Sequence, residues 1–334
     1  MVIGSGSRPW TRKRREARKP GGFSQPGEPS MTNGMEGRRP SIALVGAGRA
    51  GGALAVALHE RGYEITAVAS RDGADSKTLA SLVGASAVPT ALAAAIAADL
   101  VILAVPDTEL VRVAATIAAS GMALTRHAFI HCSARLSSRP LTSLRICGAE
   151  IGVMHPLQAL TGVDSARSLV GASLRVEATG RLRAWLDGIV AALHGDVMEI
   201  PEDALDQYHA AAVLAGNAPL ALLARATALL RDIGVSDEVA HRGLAALLEG
   251  AAINARRSGP GAALTGPVAR GDADAVTRHL RALEHDPQSR ELYRVLAQQM
   301  VELRTGRGAD VPSALSEALE TPPTIRPLRR RRVA

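Results

Sequence analysis

The sequence predicts an α/β fold, a doubly wound and mainly parallel sheet, followed by an all-α C-terminal domain. Three observations carry that prediction. From residue 41 to about 178, apolar strand-like runs alternate with Ala/Leu-rich segments of helical period, the pattern of a sheet with helices on both faces. Runs such as Val101 to Val105 are apolar at every position, as strands covered on both sides require. After Pro201 the strand runs cease, and residues 203–233, 236–257, 273–284 and 287–306 keep only a helical period.

The predicted strands, in order, are IALVG, EITAVAS, DLVILAV, AFIHCS, EIGVMHP and SLRVEA, with DVMEI just before Pro201. The chain divides into a basic N-terminal tail (1–39), a sheet domain (40–180), a helical domain (181–306) and a basic C-terminal tail (307–334). Both tails are rich in Pro, Gly, Ser and Arg without apolar period, and are expected to be disordered. Met31 and Met35 stand just ahead of the first strand, so residues 1–30 need not belong to the natural protein.

The formal net charge of +7 invites a nucleic-acid reading until it is located. Residues 1–39 carry nine Lys/Arg against three Glu, and residues 321–334 carry five Arg and no acid. Taking +6 and +5 from +7 leaves −4 for residues 40–320, so no nucleic-acid partner is expected for the folded part. The two cysteines, Cys132 and Cys147, cannot form a disulfide framework and suit a reducing cytoplasm. No signal-peptide pattern opens the chain, and the most apolar window, 91–105, is too short for a membrane span. A cytoplasmic protein with no membrane partner is expected. No Cys/His cluster has zinc-ligand spacing, and no metal is expected.

Gly46, Gly48 and Gly51 form G-x-G-x-x-G directly after the first strand and at the start of a helix, with Arg49 and Ala50 between them. In that setting the first glycine permits the tight turn, the second lets the backbone approach a pyrophosphate, and the third lets helix pack on strand. This is the dinucleotide-binding pattern of a Rossmann-type sheet, with the helix N-terminus presented to the phosphates. The second strand ends in Ser70-Arg71, where an acid would select NAD by its ribose hydroxyl. A hydroxyl and a guanidinium suit a 2′-phosphate instead, so the expected cofactor is NADP(H). Asp72 would reverse that preference if it turned inward. Val105, Pro106 and Asp107, at the end of a later strand, should lie beside the cofactor, with Asp107 equally suited to cap the next helix.

The stretches GAGRAGGALA, LAVPD, HCSARL, GVMHPLQAL, QYHAAAVLAGN and ALTGPVARGD together resemble a widespread group of bacterial proteins classed as oxidoreductases. Its members join a Rossmann-like domain to a helical domain of unknown function, and the resemblance spans about residues 40–305. More distantly the chain is similar to ketopantoate reductases, pyrroline-carboxylate reductases and prephenate dehydrogenases. The resemblance implies NADP-dependent oxidation or reduction of a small molecule.

Three places are candidates for the chemistry. His155, before Pro156, looks like the His-Pro of prephenate dehydrogenases, where the histidine handles the hydroxyl proton. In the preceding strand, His131 and Ser133 fall on one face by alternation and are expected to line the same cleft. On the first long helix, His209 and Asn217 are about 80° apart around the axis and share one broad face. Ketopantoate reductases similarly carry a Lys and later Asn residues there, but here His209 stands in the place of the Lys. Finally, 265-TGPVARGD-272 is expected to be a loop in which Thr265 and Arg270 bind substrate, Arg270 clamping a carboxylate.

The expected mechanism reduces a small 2-oxo acid, ketopantoate by preference, with Arg270 on the carboxylate, Asn217 and Ser133 on the carbonyl, and His155 or His209 as proton donor. A prephenate- or arogenate-type dehydrogenase and an imine reductase of the pyrroline-carboxylate type are the alternatives. A non-catalytic NADP sensor is a further one, which dispersal of His155, His209 and Arg270 would favour. The Ala-rich helices 203–257 are a natural surface for a homodimer.

Overall fold

The computed structural model describes residues 38–306 and 308–320. Its strands are β1 (Ile42–Val45), β2 (Ile65–Ala69), β3 (Ser86–Val88), β4 (Leu100–Leu103), β5 (Ala128–His131), β6 (Glu150–Pro156), β7 (Ser173–Glu177) and β8 (Asp196–Met198). They form one sheet in the order β3-β2-β1-β4-β5-β6-β7-β8. All pairs are parallel except β6 with β7, which is antiparallel and sets His155 opposite Arg175. The order reverses at β1 and β4, so the carboxyl ends of these strands open the crevice where such sheets bind ligands.

Continuous apolar strands have the expected cause. Ile42 and Leu44 of β1 and Leu100 and Ile102 of β4 enter the core under α1 (Arg49–Glu60), α2 (Gly73–Leu82) and α6 (Gly180–Ala192). Their neighbours Ala43, Val45, Val101 and Leu103 enter a second core under α3 (Ala91–Ile96), α4 (Asp107–Ala118) and α5 (Thr142–Ile146). With period-two alternation, each strand serves both faces.

The helical part comprises α7 (Leu205–Gly216), α8 (Ala218–Asp232), α9 (Asp237–Ala263), α10 (Gly266–Arg270), α11 (Ala273–Ala282), α12 (Pro287–Thr305) and α13 (Ser313–Glu320). The single period read over 203–233 is broken at Asn217, because Pro219 lies in the first turn of α8 and supplies no N–H to continue α7. Helix α9 is bent at Gly259, whose backbone is left-handed (φ 79°) and is followed by Pro260. A third core, built on Val268, Val276, Leu280, Ala297, Leu315 and Leu319, holds α10 to α13 together.

Three expectations need correction. The sheet ends at Met198 rather than at 180, because α6 returns the chain to a last edge strand. The C-terminal tail is not wholly disordered: Ser313–Glu320 is a helix whose Leu315 and Leu319 bury against α11, an amphipathic pattern too short to stand out in sequence. The segment 265–272 is not a plain loop, since Gly266–Arg270 forms a helical turn closed by left-handed Gly271. The disorder expected of the N-terminal tail and of residues 321–334 lies outside the described residues.

Helices α7, α8 and α9 leave much apolar surface uncovered. Leu214 is 70% exposed, Ile233 76% and Leu247 69%. The stretch Glu202–Asp232 is, by length and composition, long and apolar enough to cross a membrane, which the sequence reading did not anticipate. Its break at Asn217 divides it into two shorter helices, neither of them long enough to span a bilayer.

Candidate active site

The glycine loop takes the form that its spacing predicts. Gly46 has φ 108°, and a Cβ there would strike the Ala104 carbonyl oxygen. A Cβ on Gly51 would strike the Gly46 oxygen, so α1 can pack this close to β1 only without one. At Gly48 a Cβ would meet nothing within 4 Å. The protein leaves that side open, as close approach of a pyrophosphate requires.

This loop opens onto a cleft of about 1920 Å³ between the carboxyl edge of the sheet and α7. The volume exceeds the usual range for a single drug-sized ligand, leaving room for a dinucleotide and a second molecule. Of the residues expected to bind cofactor, Gly46, Gly48, Arg49, Ala50, Ser70, Arg71, Val105 and Pro106 line it. Gly51 serves helix packing instead. Asp107 does not line the cleft: its carboxylate accepts the Ser133 hydroxyl at 3.0 Å and lies 3.6 Å from Arg135. Nor does Asp107 cap α4, whose N-cap is Pro106. Asp72 caps α2, accepting the Ala74 N–H at 2.8 Å. Asp72 lines the cleft beside Ser70 and Arg71 with one carboxylate oxygen engaged in that cap, and the hydroxyl and guanidinium are the groups there that suit a 2′-phosphate.

His155, His209 and Asn217 also line this cleft. The remaining candidates do not join them. Ser133 is buried and tied to Asp107. His131 is fully buried, its Nε2 2.8 Å from the Ser137 carbonyl oxygen while its Nδ1 lies 3.1 Å from the Ser133 N–H. Those two partners fix a neutral ring that shapes the loop after β5, and burial holds its pKa below the usual value. Thr265 begins α10 and Arg270 ends it, and neither lines the cleft. Asp272 caps α11 through the Ala275 N–H at 2.9 Å and does not fix Arg270.

The sequence reading passed over Tyr208. Its hydroxyl lies 2.8 Å from His155 Nδ1, with the rings edge to face at 5.7 Å, and both residues line the cleft. Behind them Arg175 is 1% exposed, donating to the Leu136 carbonyl at 2.9 Å and to Glu177 at 2.6 Å, with Nε buried and unpartnered. Burial first, then the Arg175 and His209 charges, push the His155 pKa down to about 4. At neutral pH His155 is therefore an uncharged imidazole. Burial raises the Tyr208 phenol above its ordinary value, against a smaller opposing pull from Arg175, so the hydroxyl keeps its proton. Among the described residues no group of three or more His, Cys, Asp or Glu could hold a metal ion. Burial pushes the Cys132 thiol up to about 12, which leaves it unreactive.

Residues 25–156 match the family of Rossmann-like domains, and residues 172–300 match a domain of unknown function, DUF2520. The chain thus carries both matches in tandem, a Rossmann-like domain followed by DUF2520. Its fold is similar to that of a "putative NADP oxidoreductase" of Bacteroides fragilis, with 25% identity over 79% of this chain and 98% of that one, at a TM-score of 0.61. A Thermotoga maritima protein, TM1727, is 22% identical over 80% of this chain and 99% of its own, at 0.60. A pyrroline-5-carboxylate reductase of Coxiella burnetii shares the fold at 17% identity over 84% of this chain and 97% of that one, at 0.54. No curated protein sequence matches the chain.

Proposed function

We propose that this Rossmann–DUF2520 protein is an NADP(H)-dependent oxidoreductase that reduces a C=O or C=N bond of a small molecule, with Tyr208 as the proton donor. The observation that carries the reading is the Tyr208–His155 pair in the same cleft as the glycine loop and Arg71. Gly48, Arg49 and the start of α1 would hold the pyrophosphate, and Ser70 and Arg71 the 2′-phosphate. NADPH, when bound, supplies the hydride.

The chain's own residues supply the proton. A neutral His155 can donate from Nδ1 to the phenol oxygen, which leaves the Tyr208 O–H free to point at a substrate oxygen or nitrogen. As negative charge develops there, Tyr208 gives up its proton. The His155 N–H and the field of the buried Arg175 then stabilise the phenolate until solvent returns a proton. His155 therefore acts as an orienting group and not as an imidazolium acid, because with a pKa near 4 it carries no extra proton at neutral pH. His209 and Asn217, which also line the cleft, are polar groups able to orient the substrate.

Ketopantoate, the 2-oxo acid favoured by the resemblance, needs a cation for its carboxylate. Arg270 was expected to fill that role and does not line the cleft, which withdraws the main support for an acid substrate. The alanine-rich α7 wall, with Ala211, Ala212 and Ala215, favours a small apolar ketone or imine. Oxidation of prephenate or arogenate by NADP⁺ is the second reading, supported by His155 before Pro156. Of His155, His209 and Arg270, whose convergence was to separate an enzyme from a sensor, the two histidines line the cleft and Arg270 does not; the Tyr208–His155 pair is what supports the enzyme. A second copy of the chain is the proposed cover for the apolar surface of α7, α8 and α9, giving a homodimer in a reducing cytoplasm.

The test is consumption of NADPH by the purified protein with a panel of 2-oxo acids including ketopantoate, uncharged ketones and cyclic imines. Acceleration by a ketone or imine, reduced at least about tenfold in Tyr208→Phe, is the expected result. Reduction of NADP⁺ by prephenate or arogenate, with no member of the panel consuming NADPH, would replace this reading with the second one.

A further inference from the structure

The adenosine side of the cleft carries a charge arrangement that the glycine-loop reading does not use. Arg71 follows β2, while Glu109 and Arg112 stand in the first two turns of α4, which follows β4. In the sheet β2 and β4 flank β1, so these side chains reach the cleft from opposite sides of the glycine loop, and all three line it. Arg112 donates from Nε to the Glu109 carboxylate at 2.9 Å and makes a second, shorter contact through its terminal nitrogen. The Arg112 side chain is 65% exposed, against 28% for Glu109. A guanidinium so placed can exchange its partner without breaking any packed structure. The two arginines also hold the Glu109 carboxyl below its usual range, Arg112 first and Arg71 after it, so the carboxylate sits in a field that both create.

Resting on the NADP(H) reading above, we infer that Arg112 is a second guanidinium for the cofactor's 2′-phosphate, and that Glu109 is an internal counter-ion occupying it until that phosphate arrives. A phosphate monoester carries nearly two negative charges and three acceptor oxygens, so it competes for a forked donor better than a single carboxylate does. NADH has only a hydroxyl at that position and leaves the Glu109–Arg112 pair intact. Selectivity between the two dinucleotides then arises from exchange of one anion for another, as well as from Arg71 alone.

The test is equilibrium titration of the full-length protein with NADPH and NADH, with adenosine 2′,5′-bisphosphate and adenosine 5′-monophosphate as competing probes. Arg112→Ala should weaken NADPH and the bisphosphate about tenfold while changing NADH and the monophosphate by less than about twofold. Glu109→Gln should tighten NADPH about threefold or more and leave NADH unchanged. Equal weakening of both dinucleotides by Arg112→Ala, no weakening at all, or weaker NADPH binding by Glu109→Gln would each overturn the inference. If the unmutated protein binds NADPH and NADH equally, the cofactor reading itself falls and this inference falls with it. If it prefers NADPH and loses that preference only in Arg71→Ala, this inference alone falls.

Discussion

Acidification should unfold this protein partly through one histidine. His155 is held at a pKa of about 4, whereas an unfolded histidine titrates near its ordinary 6.5. Between those values the unfolded chain binds the proton and the folded chain does not, so stability rises with pH across that window and is lost as pH falls through it. At roughly 1.4 kcal/mol per pH unit, a fall from 6.5 to about 4 corresponds to about 3 kcal/mol, fully present above pH 6.5 and gone near pH 4. His155→Gln removes the titrating ring but keeps a side chain that can meet the Tyr208 hydroxyl. His131 and His127, also depressed by burial, remain in both proteins and cancel in the comparison. The assay is urea unfolding at fixed protein concentration at several pH values from 7.5 down to 4.5. The unmutated protein should lose about 2–3 kcal/mol more than His155→Gln over that range. Equal losses would refute the account of His155 as a buried, neutral imidazole.

Other consequences are open to direct measurement. Tyr208→Phe keeps the ring against His155 but removes the hydroxyl, and should lower kcat by the equivalent of about 2–4 kcal/mol while leaving the NADPH Kd within about twofold, by steady-state kinetics and fluorescence titration. Arg71→Ala should weaken NADPH by about 1.5–3 kcal/mol and NADH hardly at all, in the same titration. Gly46→Ala forces a side chain into the Ala104 carbonyl at a left-handed φ, and should lower the thermal midpoint and abolish dinucleotide binding together, by scanning calorimetry and titration. Leu214→Glu and Leu247→Glu, on the uncovered helical surface, should shift the protein to monomer in sedimentation at unchanged helix content.

The sheet was legible wherever a strand is buried on both faces, because a short run apolar at every position, such as Val101 to Leu103, alternates between two cores. Strand β3 was not, since Ser86–Val88 is a three-residue edge whose outer residues face solvent. The glycine loop could be placed residue by residue because each glycine answers a local steric demand. The reacting end was only half legible. His155 stood out beside Pro156, but Tyr208 pairs with it across 53 residues, and nothing local in DQYHAAAV separates that tyrosine from an ordinary core residue. One signal was present and went unused: Arg175 is the one cation in the strand SLRVE, and a cation at a core-facing strand position demands polar partners nearby, of which Glu177 two residues on is one. Arg270 misled because a Gly-Pro-rich segment without helical period reads as a substrate-binding loop, whereas its apolar Val268 anchors it to the third core.

The central claim, that this cleft binds NADPH for reduction chemistry, is tested most directly by following loss of reduced-nicotinamide absorbance on mixing the protein and NADPH with uncharged ketones and cyclic imines. The account predicts NADPH consumption that saturates with substrate, is at least about tenfold slower with NADH, and collapses in Tyr208→Phe. Turnover that proceeds equally with NADH, or that survives Tyr208→Phe undiminished, would contradict it.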